Sequence, residues 1–156
     1  MHRTYIMEIS KAAHKDIPKL CDLLDLLFLQ EAEFQPNRVL QTKVLEQIID
    51  SPELGQILVL RDRRVPIGMI NILFTISTAL GGRVSIFEDI VIETSHRGRG
   101  AGSILLQAAL DFAKSAGCLR VTLLTDQTNE SAKRFYTRHG FTLSGMVPMR
   151  FLDFNR

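Results

Sequence analysis

The stretch EDIVIETSHRGRGAGSILL, residues 88–106, joins an apolar run to an Ala- and Leu-rich run through a loop that contains three glycines. Gly98, Gly100 and Gly102 alternate within this loop, and each of them loses more conformational freedom on folding than another residue would. A glycine-rich turn between a strand and a helix exposes backbone N–H groups at the positive end of the helix dipole. The stretch therefore predicts a strand, an anion-binding loop and a helix, in that order.

Two familiar nucleotide-binding loops fit this stretch poorly. A P-loop carries a Lys before its final Ser or Thr, whereas Ser103 here follows Gly102 directly. The dinucleotide pattern G-x-G-x-x-G places its third glycine one position later than Gly102. The loop therefore indicates a phosphate-containing ligand that is held by neither of those two folds.

The N-terminal part of the chain predicts a strand followed by two helices. Residues 4–10 alternate between apolar and polar side chains, as in a half-buried strand. Asp16 can cap a helix that runs to about Gln30 and is apolar almost all round. We expect the second face of this helix to meet another helix, a partner in a homodimer or a substrate lid. Residues 39–50 predict the second helix, with these residues on its buried side: Val39, Leu40, Val44, Leu45 and Ile48.

After the second helix, the hydrophobic pattern changes to the period of β-strands. A hairpin that turns at Asp62–Arg64 comes first, and the glycine loop then separates a strand from a helix that Gly117 ends. The chain closes with a strand, a helix that opens at Thr128 or Asn129 and ends at Gly140, and a last pair of strands. In order, these ranges are 56–62, 65–77, 84–92, 100–117, 119–125, 128–140, 141–147 and 149–154.

The full order is β-α-α-β-β-β-α-β-α-β-β, which predicts an α/β (α+β) fold. Helices are expected to cover one mixed sheet, with one β-α-β crossover around the glycines. A chain of 156 residues without repeats, low-complexity tracts or a Pro/Gly/Ser-rich linker predicts a single domain over residues 1–156.

The charge balance gives no reason to expect a nucleic-acid or membrane partner. The chain has 19 basic and 17 acidic residues, for a formal net charge of +2. Its longest strongly apolar stretch, residues 20–29, is far shorter than the roughly 20 residues that span a bilayer. The arginines within residues 61–64 predict a solvated turn. Without an apolar signal core, the chain is expected in the cytoplasm, with both cysteines reduced and no metal bound.

The pattern Arg97-x-x-Gly100-x-Gly102, between a strand and an Ala/Leu-rich helix, resembles the acyl-CoA loop of the GNAT superfamily of N-acetyltransferases. The order of elements along nearly the whole chain is also similar to that of the family. The resemblance implies a mostly antiparallel sheet of about six or seven strands flanked by about four helices. It implies acetyl-CoA as the co-substrate, with its pyrophosphate on the loop and its pantetheine arm along the preceding strand. The loop residues are Arg97, Gly98, Arg99, Gly100, Ala101, Gly102 and Ser103, and the strand residues are Ile90, Val91 and Ile92.

Residues 129–141, NESAKRFYTRHGF, resemble the second signature of the family, N-x-x-A-x-x-F-Y-x-x-x-G-F. The resemblance implies that Asn129, Ala132 and Phe135 contact the cofactor. It also implies that Tyr136 contacts the cofactor and protonates the departing thiolate as a general acid. Asn129 can equally cap the helix, and the two uses are compatible. Four side chains are expected to share one helix face: Ala132, Phe135, Tyr136 and His139.

The segment FEDIVIETSHRGRGAGS is similar to the corresponding stretch of the polyamine and glucosamine-phosphate branches. In the polyamine branch the Glu of the E-D pair is the general base. The resemblance therefore implies that Glu88 is the base here and acts through a water. The alternative is that Glu88 is a structural carboxylate bonded to loop amides. Adjacent strand residues point to opposite faces unless a bulge intervenes, so we expect only one carboxylate on the substrate side and a structural role for Asp89. Asp126 can either position the substrate or cap the following turn.

Together these motifs predict an enzyme that moves acetyl from acetyl-CoA to a primary amine of a small molecule. The amine attacks directly, and a backbone N–H near Ile90 or Val91 binds the oxyanion. Polyamine-like or amino-sugar-like acceptors are expected first, a protein N-terminus or lysine second, and aminoglycosides remain open. A non-catalytic acyl-CoA sensor is the alternative without chemistry. The first two helices, residues 77–83 and the C-terminal strands are expected to form the acceptor site, where Glu31 and Glu33 either attract a cationic amine or form a solvated helix end.

Overall fold

A sheet of five strands, in the spatial order β1-β2-β3-β4-β5, is the framework of the computed structural model. The structure describes residues 6–31, 35–152 and 154. Neighbours among the first four strands are antiparallel, whereas β5 runs parallel to β4. The strands are β1 (Met7–Lys11), β2 (Gly55–Asp62), β3 (Val65–Ser77), β4 (Gly82–Ile92) and β5 (Val121–Leu123).

Four α-helices accompany the strands in the described ranges, and their positions are those that the sequence predicts. Pro18 stands in the first turn of α1, and the Asn37 side chain caps α2 by accepting a hydrogen bond from the Leu40 N–H at 3.1 Å. The predicted mixed α/β fold, with helices on a mostly antiparallel sheet, is confirmed. The helices are α1 (Ile17–Phe28), α2 (Arg38–Asp50), α3 (Ala101–Ser115) and α4 (Glu130–Arg138).

The predicted count of six or seven strands is too high, because the last predicted pair is missing from the part of the chain that the structure describes. Residues 141–152 and 154 form no strand. Gly145 and Pro148 interrupt this stretch. Proline has no N–H for a ladder, and glycine loses the most entropy when it is fixed in a strand. Residues 4, 5 and 153 of the predicted strands lie outside the described residues.

Apolar side chains pack on both faces of the sheet. On one face, Ile57, Val59 and Met69 form a cluster with α1 and α2. Ile70 and Ile72 alternate with these positions along β3 and are also fully buried, on the face that α3 covers. The second face of α1 meets a neighbouring helix, one of the three predicted alternatives, and the residues of α2 that it meets are Leu45 and Ile48.

The buried side of α2 is narrower than predicted. Leu45 and Ile48 are buried as predicted, together with Gln41. These residues recur at i, i+4 and i+7, so they form a single stripe along the helix, and the neighbouring apolar positions fall beside it. Three predicted core residues are instead exposed: Val39, Leu40 and Val44.

Arg61 is buried, which corrects the prediction of a solvated turn at residues 61–64. Its guanidinium donates to the two carboxylate oxygens of Asp16 at 2.9 and 2.8 Å, and its Nε donates to Ser10 Oγ at 2.7 Å. Burial acts to raise the pKa of Asp16, but hydrogen bonds from Arg61 and from the Ala13 N–H outweigh it and hold the pKa below its ordinary value. The pair ties β2 to the start of α1, and this carboxylate makes no side-chain cap on α1.

Packing divides the chain into two compact units, Met1–Leu124 with the sheet and Thr125–Arg156 with α4. A single domain over residues 1–156 stays a prediction. Over the described ranges, the helices are too short or too polar to cross a bilayer. The same residues contain no group of three or more His, Cys, Asp or Glu side chains arranged to hold a metal ion.

We expect R61M to lower the free energy of unfolding at pH 7 by about 3 kcal/mol, because it leaves the buried Asp16 carboxylate without its partner. Urea denaturation measures this loss, and R63M, at an exposed site of the same turn, is the matched control. The stabilisation from Asp16 is present above its ordinary pKa of 3.8 and is lost as the pH falls through the lower folded-state pKa. The deficit of R61M should therefore shrink in acid. Equal losses for R61M and R63M at pH 7 would contradict this account.

Candidate functional site

The fourth strand contains a β-bulge at Glu88 and Asp89. Asn71 of β3 pairs with Glu88, whereas Met69, two positions earlier, pairs with Val91, three positions later. β4 therefore carries one extra residue opposite β3. Asp89 has left-handed backbone, with φ of +54°, a conformation that aspartate tolerates better than most residues. Bulges of this kind re-aim side chains and are common next to active sites.

The bulge brings both carboxylates to the same side of the sheet. Asn71 lies between Met69 and Leu73, which pack with α1, so by the period of two it faces α1 as well. Glu88 is its pairing partner and shares that face. Asp89 reaches it too, because its Oδ2 accepts a hydrogen bond from Asn71 Nδ2. Because a bulge does intervene, the expectation that Glu88 and Asp89 point to opposite faces of the sheet is wrong.

The two carboxylates differ in environment. The pKa of Asp89 is raised to about 6. Burial is the largest cause; the hydrogen bond from Asn71 lowers the pKa, and the negative charges of Glu88 and Glu31 raise it. Glu88 itself is exposed, while Asp89 is partly buried. Asp89 therefore changes its protonation close to neutral pH.

Beyond residue 87, β4 is paired along one edge only. β5 pairs with residues 85–87 and with no later residue of β4 in the described ranges, whereas β3 continues along the other edge as far as Ile92. The backbone of residues 88–92 therefore presents an open edge, to which an extended chain with amide groups can add. The residues predicted to meet pantetheine lie on this edge: Ile90, Val91 and Ile92.

The glycine loop has left-handed backbone at two of its glycines. The φ angle is +73° at Gly98 and +80° at Gly100, a region that other residues adopt only with strain. A Cβ at either position would meet no atom within 4 Å. The backbone angle, rather than lack of space, therefore requires glycine at both positions. Gly102 differs, because it lies inside the first turn of α3.

The helix that follows the loop begins with unpaired donors. The first hydrogen bond of α3 runs from the Ile104 N–H to the Gly100 carbonyl at 3.0 Å. The N–H groups of Ala101, Gly102 and Ser103 precede this bond and have no partner within the helix. They stand at the positive end of the helix dipole. The predicted order of strand, glycine loop and helix is thus confirmed, with N–H donors that no helical hydrogen bond uses at residues 101–103. Binding of an anion there stays a prediction.

The two loop arginines are both exposed. Arg97 Nε donates to the Ile92 carbonyl at 2.9 Å, which ties the start of the loop to the end of β4. This contact gives Arg97 a structural role that the sequence did not predict. Cofactor binding by Arg97 and Arg99 stays a prediction.

The second motif forms α4 as predicted. Asn129 Oδ1 accepts a hydrogen bond from the Ala132 N–H at 3.0 Å, so its capping role is confirmed and its cofactor contact stays a prediction. The ring of Tyr136 packs edge-on against Phe135 and Phe141, at centroid distances of 5.3 and 5.8 Å. Burial raises the pKa of Tyr136 above its ordinary value, so its phenol keeps its proton at neutral pH.

Three more carboxylates are predicted from the sequence as candidates for the acceptor site: Asp126, Glu31 and Glu33. Asp126 Oδ1 accepts hydrogen bonds from the Thr128 N–H at 3.0 Å and from its hydroxyl at 2.9 Å, so Asp126 caps the turn. The backbone hydrogen bond is the main cause that lowers the pKa of Asp126. Glu31 lies close enough for its charge to act on Asp89. Glu33 lies outside the described residues.

Asn71 is a residue of this site that the sequence analysis did not single out. It is 4% exposed, and its Oδ1 has no hydrogen-bond partner within the part of the chain that the structure describes. The signal in the sequence is an amide in the middle of the apolar strand VPIGMINILFTIS. A buried amide in a strand interior needs a polar partner on a neighbouring element.

Comparison with known proteins gives family relatives. The model of the acetyltransferase (GNAT) family matches residues 18–141. A segment of 62 residues is 37% identical to glucosamine 6-phosphate N-acetyltransferase of Trypanosoma brucei brucei. A segment of 59 residues is 37% identical to streptothricin acetyltransferase of Streptomyces lavendulae. These segments cover 39% and 38% of this chain, and only 40% and 31% of those relatives. An aminoglycoside N-acetyltransferase solved in complex with CoA has the same fold, with a TM-score of 0.82 and 17% identity over 98% of this chain and 99% of its own.

We expect D89N to stabilise the folded protein at pH 8. A carboxyl with a pKa of about 6 when folded and 3.8 when unfolded binds more protons in the folded state, so its contribution to stability falls as the pH rises between those values. By that difference, ionised Asp89 opposes folding by about 3 kcal/mol at pH 8. Asparagine also tolerates left-handed backbone and keeps an oxygen that can accept from Asn71.

Urea denaturation at two pH values measures this effect. D89N should gain about 2 kcal/mol over the wild type at pH 8 and nothing at pH 4, where the wild-type carboxyl is protonated. E53Q, at an exposed position, is the control for loss of a negative charge. A variant less stable than the wild type at pH 8 would show that ionised Asp89 supports the fold.

Proposed function

The chain belongs to the GNAT family of acetyltransferases, and we propose that it transfers the acetyl group of acetyl-CoA to a primary amine of a small molecule. The observation that carries this proposal is the continuity between the open edge of β4 and the glycine loop. In the part of the chain that the structure describes, residues 88–92 have no neighbouring strand on one edge, where an added chain meets backbone that the Arg97 side chain contacts at the Ile92 carbonyl. Residues 98–103 follow after a short 3-10 turn and present backbone donors at a helix start. CoA has an amide-containing arm that ends in a pyrophosphate, so it matches both features in the same order.

The proposed binding mode divides CoA between strand and loop. The pantetheine amides add to the edge of β4 at Ile90–Ile92, where the side chains of Val91 and Ile92 are buried and the backbone is what the strand presents. The pyrophosphate binds the N–H groups at residues 100–103, which the dipole of α3 favours. Arg97 and Arg99 add positive charge beside it.

The proposed reaction is a direct transfer. The amine lone pair attacks the thioester carbon, and a backbone N–H near Ile90 or Val91 binds the oxyanion. The oxyanion then collapses to the amide carbonyl, the C–S bond breaks with its electron pair on sulfur, and Tyr136 gives its proton to the thiolate. The proton that the attacking nitrogen must still lose to become an amide restores the phenol of Tyr136. Before the attack, the ammonium group of the acceptor must lose a proton to a carboxylate at the bulge. The resemblance to the polyamine branch names Glu88 for this role, through a water.

The acceptor class follows from the relatives and from charge. The names of the three relatives refer to glucosamine 6-phosphate, streptothricin and aminoglycosides. The negative charges of Glu31 and Glu88 act on Asp89 near the bulge, and this negative cluster favours an acceptor that carries positive charge. We place the enzyme in the cytoplasm, in keeping with the free thiols of Cys21 and Cys118. A homodimer stays a prediction that a sedimentation mass tests.

Release of free CoA thiol tests the proposed function. The protein is incubated with acetyl-CoA and, one at a time, a diamine, an amino sugar phosphate, an aminoglycoside and a peptide with a free N-terminus. We expect thiol release with at least one of the small amines above the rate without acceptor. Binding of acetyl-CoA without thiol release for any amine would favour the sensor and contradict the proposal.

We expect G100A to weaken CoA binding at least tenfold, because alanine at a φ of +80° strains the loop that presents the backbone donors. G117A is the matched control: it has the same φ of +80°, an equally open Cβ position, and lies at the far end of α3. Both variants should lose about 1 kcal/mol of unfolding free energy. Isothermal calorimetry with CoA separates them, and equal affinities for CoA would exclude the loop as the pyrophosphate site.

We expect Y136F to lower kcat about 100-fold with little change in affinity for acetyl-CoA, because it removes the proton but keeps the ring packed on Phe135 and Phe141. Steady-state kinetics over a full pH range measure this loss. F141L, which changes the same aromatic cluster and no proton donor, is the control. An unchanged kcat for Y136F at every pH would rule out Tyr136 as the acid.

A further inference from the structure

Asp89 has left-handed backbone at the bulge of β4. It lies in the bulge with a φ of +54°, a strained region for a residue with a side chain. The bulge turns its carboxylate to the face that Glu88 shares, where it accepts a hydrogen bond from Asn71 Nδ2. The strand thus uses an extra residue to place a second carboxylate beside the first.

No cation pairs with Asp89 within the residues that the structure describes. Two basic side chains of the segments that flank β4 are engaged with other partners: Lys19 of α1 donates to Glu93 at 3.0 Å, and Arg97 of the glycine loop donates to the Ile92 carbonyl. The facing strand β3 has no charged residue over its whole length. The charges that act on Asp89 are negative and come from Glu88 on β4 and from Glu31 after α1. A partly buried carboxylate that meets only negative charges attracts a cationic partner.

The side chain of Asn71, which donates a hydrogen bond to Asp89, also has a polar atom without a hydrogen-bond partner among the described residues. Asn71 is 4% exposed, and none of the described residues donates a hydrogen bond to its Oδ1. Its Nδ2 is bonded to Asp89, so the free acceptor lies beside the same carboxylate. A buried acceptor without a donor costs about 1–3 kcal/mol. An ammonium group carries several N–H donors and can serve the carboxylate and this oxygen together.

We infer that Asp89 receives the proton of the acceptor ammonium and that Asn71 Oδ1 binds a second N–H of the same group; this inference rests on the proposed function. One N–H bond of the ammonium breaks, its electron pair stays on nitrogen, and the proton bonds to an oxygen of Asp89. The neutral amine then attacks the thioester, and Asp89 returns its proton to water after the product leaves. Glu88, exposed on the same face, supplies negative charge that attracts the acceptor.

The electrostatic environment of Asp89 suits a general base. A base works best when its pKa is near the working pH, and the pKa of Asp89 is about 6. The negative charges of Glu88 and Glu31 raise that pKa while they attract a cation. The assignment also requires that the amine acceptor arrive protonated, with its ammonium group against the Asp89 carboxylate and Asn71 Oδ1.

The pH dependence of kcat/KM for the amine separates Asp89 from Glu88. The wild type should lose activity below about pH 6, where Asp89 becomes protonated. D89N should lower kcat/KM about 100-fold at pH 7 and abolish this acid limb. E88Q is the matched control: it should keep the limb and move it to lower pH, because a neighbouring negative charge has been removed. The opposite pattern, a limb lost in E88Q and kept in D89N, would overturn the inference.

Two further readouts protect this test. Binding of CoA should be equal in D89N and the wild type, which excludes a misfolded site as the cause of lost activity. Carbon NMR of the Asp89 carboxyl should show titration near pH 6, displaced to lower pH in E88Q. Titration below pH 4 would overturn the inference even without a turnover measurement.

If the wild type releases no thiol with any amine, the proposed function fails and the inference falls with it. Thiol release with the opposite limb pattern overturns the inference alone.

Discussion

The extra residue in β4 is the constraint on which the rest of the candidate site depends. β4 must keep its ladder with β3 on one edge, and at Glu88 and Asp89 it accommodates one residue more than its neighbour. Beyond the last residue that pairs with β5, the other edge is open. The same few residues therefore turn two carboxylates to one face and expose the strand backbone that leads into the glycine loop. A regular strand in this place would turn its two carboxylates to opposite faces.

The fold supports this irregular strand with ordinary packing elsewhere. Both faces of the sheet are closed by helices, and the bidentate pair of Arg61 and Asp16 ties β2 to the start of α1. The site itself carries local features that oppose folding: left-handed backbone at Asp89, a raised pKa for its carboxyl, and an unpaired oxygen on Asn71. Such features persist where the surrounding structure holds them, and they are concentrated at functional sites. The features that suit this region to its proposed function therefore lower the free energy of unfolding.

The glycine loop could be predicted from the sequence because the residue types alone carry the signal. Only glycine adopts left-handed backbone easily, and Gly98 and Gly100 both do so. Element order could be predicted because the hydrophobic period changes at each boundary. The bulge could not, since it follows from the pairing of Asn71 with Glu88, two residues 17 positions apart in a register that local pattern does not specify. For the same reason, the burial of Arg61 depends on Asp16, a partner distant in the sequence.

The central claim is that strand edge and loop hold acetyl-CoA so that its acetyl group passes directly to an amine. Transfer of a radiolabelled acetyl group from acetyl-CoA to a small diamine, followed by chromatography of the products, tests it most directly. The account predicts that the label appears in an N-acetylated amine at the same rate as free CoA thiol and never accumulates on the protein. Label that stays on acetyl-CoA, or that builds up on the protein, would contradict it.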